Sequence, residues 1–151
     1  MKPTQPTLFT MLMARTAVAA GKPDFSGNWR VNFEKSDFGP MGRPTAFSLK
    51  IAHAGDSLKM ELQQTGTFGY SSTVPYRTDG SVIQYEVSGM TMKGTADWDG
   101  DAVVTRSISS DTGDVIRNRI RLSSDGETLN CRVSADSPMG PLGFLYVFDK
   151  Q

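Results

Sequence analysis

Residues 91–109 read TMKGTADWDGDAVVTRSIS. In the first half, Met92, Ala96 and Trp98 alternate with Lys93, Thr95 and Asp97, the period of two that sets successive side chains on opposite faces of a strand. Asp99-Gly100-Asp101 then breaks the run, and Asp-Gly between two alternating segments is a hairpin signal. The same chemistry recurs at Ala54-Gly55-Asp56-Ser57, Thr78-Asp79-Gly80-Ser81, Asp111-Thr112-Gly113-Asp114 and Ser124-Asp125-Gly126-Glu127. Strands are therefore expected near 28–34, 46–53, 57–65, 71–78, 81–88, 91–98, 101–109, 114–123, 127–134 and 142–150, with no helix longer than a turn or two. Such an antiparallel meander must close or split to hide its edges. The sequence predicts an all-β chain closing into a barrel of about 8–10 strands, with a sandwich as the second choice.

Turn length decides what the strand after Gly100 buries. A two-residue Asp99-Gly100 loop turns Val103, Thr105 and Ser107 inward, whereas a three-residue loop through Asp101 turns Val104, Arg106 and Ile108 inward. The second buries the two larger apolar residues and is preferred here. An inward Arg106 then needs an acidic partner or an anionic ligand.

A chain of 151 residues suits one domain and needs no metal or disulfide to support its core. Sixteen basic and sixteen acidic side chains cancel, which removes bulk charge as a reason to bind nucleic acid or an anionic membrane. The single Cys131 excludes an internal disulfide and reads as a small buried hydrophobe. Residues 1–23 are set apart as a leader: Lys2, an apolar run from Leu8 to Met13, and Ala17-Val18-Ala19-Ala20 before Gly21 form a weak secretory pattern that Arg15 interrupts. Periplasmic or secreted placement is expected if it acts as a signal, cytoplasmic placement otherwise. The apolar run is too short to span a bilayer. The barrel is expected over 24–151.

Inward faces follow from the alternation: Trp29, Val31 and Phe33; Phe47, Leu49 and Ile51; Leu58, Met60 and Leu62; Ile83, Tyr85 and Val87; Ile116, Ile120 and Leu122; Leu129, Cys131 and Val133; Phe144, Tyr146 and Phe148. Arg117, Arg119 and Arg121 lie on the opposite face of their strand, and a turn at Asp125-Gly126 sets Arg119 beside Arg132.

The stretch FSGNWRVNFEKSDFG at 25–39, with GDSLK, WDGDAVV and LSSDGETL further on, resembles the calycins, the lipocalin and fatty-acid-binding-protein group. More narrowly it is similar to mostly exported bacterial lipocalin-like proteins. The resemblance implies that Gly27 lets the chain turn tightly into the barrel, that Trp29 plugs one end, and that the interior holds a small hydrophobic molecule. It also implies an arginine laid across Trp29. Arg132 is the best-placed match, although Cys131 and Val133 beside it predict that it points outward. A helical lid like that of fatty-acid-binding proteins cannot form across Ser36–Pro44, which holds Gly39, Pro40, Gly42 and Pro44.

Other motifs read as ordinary structure. Asp97 to Asp101 begins like a calcium loop, but its twelfth position is Ile108. His53, the one histidine, sits at a strand end with no nucleophile-elbow serine, and Asp37 suits a turn closed on its own backbone. No cofactor motif is present. The expected function is binding of a small apolar or carboxylate-bearing ligand by Phe47, Leu49, Met60, Tyr85, Met92, Trp98, Arg106, Asn118 and Tyr146. Two alternatives stand beside it. One is a cavity enzyme of isomerase or cyclase type using Tyr85, Tyr146, Asn118 or Arg106, and the other is a solid barrel acting through its outer arginines.

Overall fold

A computed structural model describes residues 22–66, 69–136 and 140–151, apart from the Met41 side chain; most of the leader, residues 1–21, lies outside them. Ten strands follow in turn: β1 (Gly27–Val31), β2 (Ala46–Ala54), β3 (Ser57–Thr65), β4 (Tyr70–Arg77), β5 (Ile83–Val87), β6 (Met90–Asp99), β7 (Ala102–Ser109), β8 (Val115–Leu122), β9 (Thr128–Ala135) and β10 (Leu142–Lys150). Strands adjacent in sequence pair antiparallel except β4 and β5, and β1 also pairs with β10, so the sheet order runs β4-β3-β2-β1-β10-β9-β8-β7-β6-β5. The sheet curls into a nearly closed barrel. Its two ends, β4 and β5, face each other without a ladder among the described residues, and β4 carries Pro75, a residue tolerated at a sheet edge because it has no N–H to give.

Alternation works as period two requires: Phe47, Leu49 and Ile51 are buried while Ser48, Lys50 and Ala52 are exposed. Arg119 lies opposite Arg132, and both sit outside. Asp37 accepts the Gly39 N–H at 2.9 Å and closes its turn locally. Between β1 and β2 there is only one short 3-10 turn, Gly39–Met41, with no helical lid.

The turn after β6 has two residues, one fewer than the preferred reading, and lies one position beyond the Asp99-Gly100 loop of the other. Asp99 pairs with Ala102, so the loop is Gly100-Asp101, with Gly100 at φ +64 in the first central position. That is where type II′ hairpins place glycine, and Gly55-Asp56 between Ala54 and Ser57 repeats the arrangement. The consequence is a correction. Val103, Thr105 and Ser107 are buried, and Arg106 is exposed on the outer face. The barrel meets the apolar demand differently, leaving Val104 and Ile108 half-buried.

One end of the barrel is plugged. Phe25, wholly buried, packs on His53 at 5.6 Å and on Trp98 at 5.9 Å, and those two rings lie 5.8 Å from each other. Trp29 donates its Nε1–H to the Phe25 carbonyl at 3.1 Å. Lys22 closes over Trp98, its Nζ 4.9 Å from the ring and 3.0 Å from the Gly100 carbonyl. The cation above Trp29 is Lys150 of the last strand, at 5.7 Å, and not Arg132. Gly27 makes the room: a Cβ there would come within 3.2 Å of Lys150 and 3.4 Å of the Trp29 indole nitrogen.

His53 holds this plug only when neutral, because its Nδ1 accepts the Phe25 N–H at 3.2 Å. Burial lowers its pKa from the ordinary 6.5, against an opposing pull from Asp24 at 3.8 Å. The unfolded chain thus takes up a proton near 6.5 that the folded chain resists, so stability should fall as pH drops through that value. The urea midpoint should be lower at pH 5.5 than at pH 7.5, a window above the carboxylate range. His53→Asn, which keeps an acceptor, should flatten that difference; an equal slope in both proteins would remove His53 as its source.

Candidate functional site

Above the plug the barrel is hollow. The space is about 400 Å³, within the range of small-molecule sites. Phe47, Leu49, Met60 and Leu62 line it from β2 and β3, Val74 from β4, Met92 from β6, Cys131 and Val133 from β9, and Phe144, Tyr146 and Phe148 from β10. Tyr146 anchors an aromatic wall, 5.1 Å from Phe47, 5.5 Å from Phe38 and 5.9 Å from the stacked Phe144. Met90 and Ile116 also face the space yet are 39% and 41% exposed, which marks the open end.

Polar groups converge on one part of the wall. Tyr85 donates its hydroxyl to Ser107 Oγ at 2.9 Å, and the Tyr76 hydroxyl lies 3.0 Å from the same oxygen. The two rings meet edge to face at 6.4 Å, so this trio ties β4 and β5 together through β7 where no ladder joins them. Gly94 in β6 permits it. A Cβ there would stand 2.9 Å from the Tyr76 ring and 3.1 Å from Ser107 Oγ. Three hydroxyls carry three protons and make two bonds among themselves, which leaves one donor unspent on Tyr76 or Ser107. Asn118, opposite Thr105, adds an amide whose Oδ1 is buried without a hydrogen-bond partner.

The wall carries no charge. No lysine, arginine, histidine, aspartate or glutamate lines the cavity among the described residues. Burial pushes the Tyr146 phenol and the Cys131 thiol each up to about 12, and raises the phenols of Tyr70 and Tyr85 as well.

Of the residues named from sequence, Phe47, Leu49, Met60, Tyr85, Met92, Asn118 and Tyr146 line the cavity. Trp98 does not: it belongs to the plug, below the space. Arg106 is outside, so the anion anchor expected there is withdrawn. Thr105, Ser107 and Tyr76 were missed; the first two followed from the wrong turn length. Gly94 was a readable signal, since an isolated glycine inside a strand marks a close approach. Filling of the interior is excluded by the cavity. Two of the outer arginines are engaged, Arg119 with Asp99 and Arg117 with Asp136 at 4.0 Å. His53 sits in the plug, away from the cavity, and no group of metal-binding side chains is found among the described residues. Nor does any described helix have the length and apolarity to cross a membrane.

No protein-family profile and no curated protein sequence matches the chain. Solved structures do. A secretory abundant heat soluble protein from Ramazzottius varieornatus is similar with a TM-score of 0.67 at 12% identity, over 87% of this chain and 98% of that one. Zebrafish ileal bile acid-binding protein complexed with cholic acid gives 0.59 at 15%, over 84% and 98%. Fatty-acid-binding protein 1 of Echinococcus granulosus gives 0.58 at 16%, over 83% and 96%. At these identities the likeness is one of fold, the ten-stranded antiparallel meander barrel.

Proposed function

We propose that this protein binds a small, neutral, lipophilic molecule inside its barrel. The observation that carries the reading is the hollow interior of about 400 Å³ walled by apolar and aromatic side chains, with uncharged hydroxyl and amide groups as its polar contacts. The names of the zebrafish and Echinococcus neighbours support the class, a bile acid in one and fatty acids in the other. The uncharged wall narrows it: an ionised ligand group placed there would lose its hydration with no counter-charge to replace it.

Nile red, an uncharged dye that brightens in apolar surroundings, should bind saturably at about one per chain, and 1-dodecanol should displace it. A signal that does not saturate, or that dodecanol leaves unchanged, would sink the reading.

A further inference from the structure

We propose that the cavity prefers lipophiles carrying a neutral hydrogen-bond donor, a hydroxyl or an uncharged N–H, and that Asn118 is the residue that reads it; this rests on the lipophile-binding function above. Asn118 faces the lumen from β8, between Thr105 on β7 and Val133 on β9. Its Oδ1 is the one buried side-chain oxygen or nitrogen without a partner among the described residues. A carbonyl taken out of water without a donor bears its full desolvation cost, and native interiors seldom leave one so. None of the neighbours that share its part of the wall relieves it in this structure, and the Thr105 hydroxyl directly opposite makes no hydrogen bond to it. Ile116, Ile120 and Val133 have no side-chain donor, and the Cys131 thiol is a weak one. The Tyr85 proton is spent on Ser107.

A ligand that brings a proton within reach of this carbonyl removes that cost. An ammonium would be a poor fit, because no carboxylate lines the space to balance it among the described residues. A hydroxyl or neutral N–H meets both demands. The ligand's own oxygen has a match as well, in the unspent proton of the Tyr76–Ser107 pair, and Ser107 is a diagonal neighbour of Asn118 at about 7–8 Å. The cavity thus offers one acceptor and one donor on adjacent strands within an apolar wall.

The test compares 1-dodecanol with dodecyl methyl ether, which keeps the oxygen and loses the donor, by displacement of Nile red from the full chain and from Asn118→Leu. The parent should prefer the alcohol by about tenfold, the scale of one hydrogen bond to a buried acceptor. Asn118→Leu should bring that ratio to about one. It should also melt about 2–4 °C higher or more, since an unsatisfied carbonyl is replaced by a side chain of similar shape. If leucine is not accommodated, Asn118→Val serves for the same ratio.

Equal affinities in the parent would overturn the donor preference while leaving lipophile binding standing. A tenfold ratio that survives in the variant would overturn the assignment to Asn118, and so would a lower melting temperature in a folded variant. Failure of the parent to bind Nile red, alcohol or ether would instead remove the underlying function.

Discussion

Trp29→Ala should destabilise the protein by about 3–5 kcal/mol, the range for truncating a large buried aromatic. The side chain is 1% exposed. Its removal opens a void in the plug and strands the Phe25 carbonyl, which loses its indole donor at 3.1 Å. Phe25 is itself fully buried in one cluster with His53 and Trp98, so the whole end of the barrel loosens together. Lys150 also loses the ring beneath it, a smaller exposed contribution. Urea unfolding read by far-ultraviolet circular dichroism, extrapolated to water, gives the figure. A loss below about 1 kcal/mol would mean that the plug does not hold the barrel shut.

The second large effect concerns charge. Ionised dodecanoate should bind at least about 100-fold more weakly than 1-dodecanol, because the wall offers its carboxylate no cation and burying an unpaired charge costs several kcal/mol. The acid must enter as its neutral form. Its apparent affinity should then rise about tenfold for each pH unit between pH 8 and pH 6, where the neutral fraction grows by that factor. Dodecanol should show no such slope, since the cavity's own phenols and thiol stay neutral over this range. Displacement titrations at the two pH values decide it. A flat profile for the acid would show its head group held in water at the mouth near Met90 and Ile116, and would end the argument that the uncharged wall sets ligand class.

Local chemistry made most of the barrel readable. The last strand, expected at 142–150, is Leu142–Lys150, and the eighth, expected at 114–123, is Val115–Leu122. Period-two alternation and Asp-Gly turns are properties of neighbouring residues, so they survive without knowledge of the fold. The same logic set Arg119 against Arg132.

Three matters belonged to the tertiary structure. Asp99-Gly100-Asp101 can form a two-residue or a three-residue loop, and a change of loop length by one residue moves a strand's whole apolar set to its other face; the two-residue Gly100-Asp101 loop of the closed barrel sends Arg106 outside. Alternation fixes the face of a side chain but not its height along the barrel. Trp98 and Met92 share a face of β6 about 20 Å apart, and only the closed barrel puts one in the plug and the other in the cavity. Finally, the Tyr76–Ser107–Tyr85 trio joins strands that lie apart in the chain, and the Asn118 carbonyl is left without a partner by the side chains that surround it. By itself the sequence determined that this chain folds as an antiparallel meander with one apolar face, because those patterns repeat over two residues. The neutrality and hydrogen-bonding demand of the lumen were decided by tertiary contacts, because they depend on which side chains meet across the barrel.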